Sequence, residues 1–138
     1  MRRTEQKLWD RMRAAIDPKR VRLERIENLV GVGIPDALAL AAGRVTFCEL
    51  KAIAAPKARA TTPLLGAAKG LNPEQRNWHL EWARHGGRSL VVVGVGPKTL
   101  YVIEGKLADH INSYTALQMD LLNQAKTWSQ LQHLLESK

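Results

Sequence analysis

Leu8, Met12, Ala15 and Ile16 recur at helical spacing with Trp9 beside them, so residues 4–16 predict an amphipathic helix. Thr4 stands as its N-cap with Glu5 in the first turn, and Asp17-Pro18 stops it. The pattern then shortens to strand period. Apolar residues at 21, 23 and 26 in "VRLERIEN" predict a strand over 21–28, and "GVGIP" at 31–35 a bend. Two further strand-like runs, "DALAL" and "VTFCELK", flank "AAGR". Helical spacing returns over 72–87, where Asn72 and Pro73 mark the start and Gly86-Gly87 the end. The β-branched run at 88–96 predicts a strand buried on both faces, and 98–105 another strand. From about 114 onward, Leu117, Leu121, Ala125, Trp128 and Leu135 predict one or two amphipathic helices. The order α-β-β-β-α-β-β-α implies a single α/β domain over 1–138, a mixed sheet flanked by helices. Residues 54–70, rich in Ala, Gly, Pro and Thr, show no period and read as a loop or flap.

The hairpin around "AAGR" carries the chemistry. With residues 42 and 43 as a two-residue turn and Gly43 at positive φ, 41 pairs with 44, and Asp36 faces Glu49. A three-residue loop would slip that register by one. Lys51 shares a face with Glu49, together with Leu38, Leu40, Val45 and Phe47. Ala37, Ala39, Thr46, Cys48 and Leu50 take the other face. Two carboxylates about 5 Å apart repel by roughly 3 kcal/mol at an effective dielectric of about 20. Something positive belongs between them: Lys51, or a divalent cation. Hard oxygen donors favour Mg²⁺ or Mn²⁺ over zinc, with Lys51 placed to orient an attacking water or steady a phosphate. A plain salt-bridged hairpin end, Lys51 on Glu49, is the structural alternative.

Charge narrows the partner. Lys and Arg number 21 against 13 Asp and Glu, a net +8, which points to a polyanion, nucleic acid before an anionic membrane surface. Lys57, Arg59 and Lys69 on the loop, Arg11 on the first helix and Arg76 on the second are candidates for phosphate contact. A solvated basic surface is the alternative. A single cysteine excludes an internal disulfide or a Cys-based zinc cluster and fits a cytoplasmic setting. Neither a signal peptide nor an apolar run of the roughly 20 residues needed to span a membrane is seen. Trp78 and Trp82, four apart, suit core packing better than base stacking. Cys48 reads as packed rather than reactive. The four histidines show no ligand spacing and read as surface or helix residues.

"IPDALAL…VTFCELKA" resembles the signature of the PD-(D/E)xK nuclease superfamily, Pro35-Asp36 standing for PD and Glu49-Leu50-Lys51 for (D/E)xK. "LNPEQRNWHLEWARHGGRSLVVV" is similar to the Leu-x-Pro-x-Gln helix and following strand of the virus-type replication-repair nucleases. Their relatives include structure-selective endonucleases and Holliday (four-way) junction resolvases. The resemblance covers about residues 4–96 and leaves the C-terminal segment, about 114–138, unmatched. It implies a restriction-endonuclease-like α-β-β-β-α-β core within about 4–103. It implies Asp36, Glu49 and the backbone carbonyl of Leu50 as ligands of Mg²⁺ or Mn²⁺, and Lys51 as the catalytic lysine. Glu5 resembles the first-helix glutamate that assists the metal, and Gln75 the glutamine of the helix after the hairpin. For these two, helix-dipole and capping-box roles stand as alternatives. Glu27 is a weaker candidate.

The implied activity is a metal-dependent DNA endonuclease selective for four-way or other branched DNA. A homodimer is implied, through the C-terminal helix or the strand edges, in the cytoplasm of the host if the origin is a phage or other virus. A linear-DNA or nicking endonuclease, a non-catalytic DNA-binding module and an RNA-processing protein are the alternatives.

Overall fold

The computed structural model describes residues 3–26, 33–55, 59 and 61–137, with no account of the Arg3 side chain. Helix α1 (Arg3–Ala15) leads into β1 (Arg22–Arg25), β2 (Ala37–Ala41) and β3 (Arg44–Ile53). A short helix α2 (Gly66–Lys69) precedes α3 (Pro73–Arg84), β4 (Arg88–Val95) and β5 (Thr99–Glu104). Two 3₁₀ turns, at Gly105–Leu107 and Ile111–Ser113, lead to α4 (Ala116–Leu122) and α5 (Trp128–Glu136). The five strands form one mixed sheet in the order β1-β2-β3-β4-β5, with β3 and β4 parallel and every other pair antiparallel.

The hairpin has the two-residue turn. Ala42 and Gly43 both take positive φ, 51° and 75°, which matches the turn to the twist of its strands. Ala41 pairs with Arg44 and the ladder runs out to Ala37 with Cys48. Continued by one residue, it sets Asp36 across from Glu49. Alternation then sorts the side chains. Ala37, Ala39, Cys48 and Leu50 enter a core closed by Leu8 and Met12 of α1 and by Leu131 and Leu135 of α5. On the opposite face Val91, Val93 and Ile103 bury against Leu65, Leu71, Ile111 and Met119. β4 is therefore buried on both sides, as its β-branched run predicts. Each fully buried aliphatic side chain contributes roughly 1.5–3 kcal/mol.

The expected loop over 54–70 differs in its second half. Leu64 and Leu65 are buried, Leu64 N–H donates to the Tyr114 carbonyl at 2.9 Å, and Pro63 bridges Thr115. The chain here lacks a period because its anchors lie on a distant segment rather than on one face of an element. Of the one or two helices expected at the C-terminus there are two, and α5 buries its apolar face in the core. The β5 edge is covered too: Asn123 Oδ1 accepts from Val102 N–H at 2.6 Å, and its Nδ2 donates to the Leu100 carbonyl. Apolar exposure persists at Leu40 and Val45 on the hairpin and at Leu117 and Leu121 on α4. No helix is long and apolar enough to cross a membrane among the described residues.

Candidate active site

Three elements meet at the end of the hairpin away from its turn. Gly33 lies so close to the start of α3 that a Cβ there would sit 2.4 Å from the Glu74 carbonyl oxygen. That approach brings Gln75 over the segment leading to Asp36. The Asp36 carbonyl accepts from Ile26 N–H at 2.8 Å, and its Oδ2 accepts from Leu50 N–H at 2.8 Å. The carboxylate is thereby pinned to the backbone of the Glu-Leu-Lys segment.

Glu49 and Lys51 project from β3 toward α3 and are almost wholly enclosed, at 2% and 6% exposure. Lys51 Nζ lies 3.9 Å from Glu49 Oε2. Gln75 joins them: its Nε2 donates to Glu49 Oε2 at 3.3 Å, and its Oε1 accepts from Lys51 Nζ at 3.4 Å. The same Oε1 accepts from Asn72 N–H at 3.0 Å, completing the capping box of α3. Gln75 is thus a helix cap and a contact of both charged groups. Glu5 is buried at the mouth of the same cleft, a cavity of about 580 Å³ lined by Glu5, Asp36, Glu49, Lys51, Asn72 and Gln75, and walled by Ala67, Ala68 and Gly70.

Electrostatics set Glu49 apart. Burial first, then the Asp36 carboxylate, push its carboxyl well above the ordinary range, with Lys51 pulling the other way. Its Oε1 is buried with no hydrogen-bond partner among the protein groups. A buried oxygen left so costs about 1–3 kcal/mol unless something else satisfies it. Two hard carboxylates, one orphaned oxygen and an open cleft fit a divalent cation of the Mg²⁺ or Mn²⁺ type. Among the described residues no three His, Cys, Asp or Glu side chains form a ready-made cage. Mg²⁺ needs none, since it takes one or two carboxylates and fills its shell with water and phosphate.

The basic candidates scatter. Arg59 and Lys69 are exposed, Lys69 at the end of the cleft wall. Arg76 turns inward and donates to the Leu71 carbonyl at 3.1 Å. Arg11 stands on the far side of α1, by Gly96. Lys57 and Glu27 lie outside the described residues. Trp78 and Trp82 stack on each other, centroids 5.1 Å apart, and both meet Phe47 edge-on.

His79 is the residue that spacing alone did not distinguish. His85, His110 and His133 are exposed, whereas His79 is fully buried one helical turn beyond Gln75. Its Nδ1 lies 2.7 Å from Ser89 Oγ. Burial, helped by the charge of Lys51, lowers its pKa to about 4, so the ring is neutral.

No protein-family model matches the chain, and no curated protein matches it in sequence. Among solved structures it is similar to Hjc, a Holliday junction resolvase from the archaeal hyperthermophile Archaeoglobus fulgidus. The TM-score is 0.56 at 16% identity, over 87% of this chain and 90% of that one. The chain has a restriction-endonuclease-like α/β fold. The likeness spans nearly the whole chain, past the residue-96 limit of the motif resemblance.

Proposed function

We propose that this chain is a PD-(D/E)xK nuclease that hydrolyses DNA phosphodiesters with Mg²⁺ or Mn²⁺ and prefers four-way or other branched DNA. One observation carries it: Asp36, Glu49 and Lys51 converge in an open cleft where a buried Glu49 oxygen has no protein partner. Asp36, Glu49 and the Leu50 carbonyl would hold the cation. When bound, it supplies Lewis acidity toward a phosphoryl oxygen and a water of lowered pKa.

The chain's own groups do the rest. Asp36 Oδ2 accepts from Leu50 N–H, which limits the rotation of a carboxylate that lines the cleft. Gln75 bridges Glu49 and Lys51 and keeps the lysine from collapsing fully onto the carboxylate. Lys51 Nζ orients the water or takes up charge on the phosphate as the phosphorus–oxygen bond breaks. Glu5 adds a third acid at the rim as an assisting group. Arg59 and Lys69, both exposed, are assigned contact with the phosphate backbone, and Lys57 the same role from its place in the sequence. The preference for junctions is supported by the likeness to Hjc. Two symmetric nicks in a junction require two sites, so the active form is a homodimer.

Cleavage of labelled four-way junction, flap, nicked, linear and single-stranded DNA, and of RNA, tests this with Mg²⁺, Mn²⁺ or EDTA. Metal-dependent paired nicks in the junction, lost in Asp36→Asn and Lys51→Ala, are expected. Binding without cleavage of any substrate would overturn it and leave a DNA-binding module.

A further inference from the structure

A second concavity opens at the same end of the sheet as the cleft, on the α1 side. Gly94 makes it: a Cβ there would lie 2.7 Å from Leu8 and 3.6 Å from the Arg11 guanidinium. Without one, α1 settles onto β4 and Arg11 Nη2 reaches the Gly96 carbonyl at 3.5 Å. The β4–β5 turn, Gly96-Pro97-Lys98, ends on Lys98, and Lys126, just before α5, lines the same groove. These three cations share a groove of about 220 Å³ that no Asp or Glu lines. None of the three has an ion-pair partner among the described residues, unlike Arg20, Arg22, Arg84 and Lys106. The first turn of α5 at the groove also lacks an acid, and Thr99 and Thr127 line it.

Three converging cations of like sign repel one another, a cost that a bound anion removes. Glu5 at the cleft and Arg11 in the groove are six residues apart on α1, about 9 Å along the helix at 1.5 Å per residue. We infer that the Arg11–Lys98–Lys126 groove holds a backbone phosphate of the bound DNA other than the scissile one. This rests on the DNA reading of the cleft. It gives the substrate strand a second fixed point, which sets where along it the cleft can cut.

Binding of a labelled duplex and a labelled four-way junction by anisotropy in EDTA, over a series of KCl concentrations, tests it without cleavage. Lys98→Glu/Lys126→Glu should weaken both complexes about tenfold or more and lower the salt slope by about 0.9, the share of the one phosphate that the groove would hold. Lys98→Arg/Lys126→Arg, which keeps the charge, should bind as wild type does. Unchanged affinity and slope in the glutamate variant would overturn the assignment, as would a wild type that binds no DNA. Inorganic phosphate and phosphatidylserine vesicles are titrated alongside. If the variant loses either of these while DNA binding is intact, the groove serves a small anion or a lipid headgroup and the DNA assignment falls. Cleavage by wild type with Mg²⁺ is scored separately. Its absence would sink the nuclease proposal while the EDTA binding still decides the groove.

Discussion

The two faces of β3 obey different rules although they alternate along one strand. On one, Cys48 and Leu50 sit in an apolar core sealed by α1 and α5. On the other, Glu49 and Lys51 are nearly as enclosed, yet both are ionisable, they lie close together, and one Glu49 oxygen has no hydrogen-bond partner. The first face is optimised for stability. The second carries a carboxyl whose charge burial and Asp36 disfavour, a cost the first face does not bear.

The largest expected separation comes from the charged face. Lys51→Ala and Glu49→Gln should each lower the cleavage rate by about a thousandfold, roughly 4 kcal/mol of barrier. Glu49→Gln should do so while raising the metal-free melting temperature, because it removes a carboxylate that burial and Asp36 disfavour. A lower melting temperature in that variant would show that the charge is well accommodated. On the core face, Leu50→Ala should cost about 3 kcal/mol in urea unfolding, within the range for a fully buried leucine. If cleavage there falls no further than the folded fraction does, the two faces are separable.

His79 gives a pH signature of similar size. Its folded pKa of about 4 lies below the ordinary 6.5, so the unfolded chain binds the proton more readily. Its stabilisation is complete above 6.5 and is lost as the pH falls toward 4, about 3 kcal/mol in all. Denaturant titrations should show that slope in wild type and not in His79→Leu. The smallest effect is expected at the cap. Asn72→Ala should cost about 1 kcal/mol of stability. It should also reduce cleavage a few-fold, because the start of α3 that carries Gln75 loosens while Gln75 still reaches Glu49 and Lys51.

The hairpin register could be read from the sequence because local signals agreed. Gly43 marked the turn, strict alternation marked the faces, and the partners lay within fifteen residues of one another. The boundaries of α3 were legible for the same reason, through Asn72, Pro73 and Gln75. Where partners are distant, the pattern carries no signal. Leu64 is held by Tyr114, fifty residues away, and leaves no periodic trace. Arg88 shows the same limit. It looks like one more surface cation, yet it donates to Thr46, to Ser137 and to the Leu135 carbonyl, fastening α5 to the start of β3.

The lone thiol has a practical use. Cys48 is fully buried between the hairpin and α1, and desolvation pushes its pKa to about 12, so it is inert to alkylating reagents while the sheet is closed. Its rate of labelling therefore clocks the opening of the very strand that carries Glu49 and Lys51. A chain with a single sulfhydryl, placed directly behind its charged cleft, carries its own reporter: mass spectrometry of the alkylated protein can follow how metal or DNA quiets the hairpin, with no label introduced.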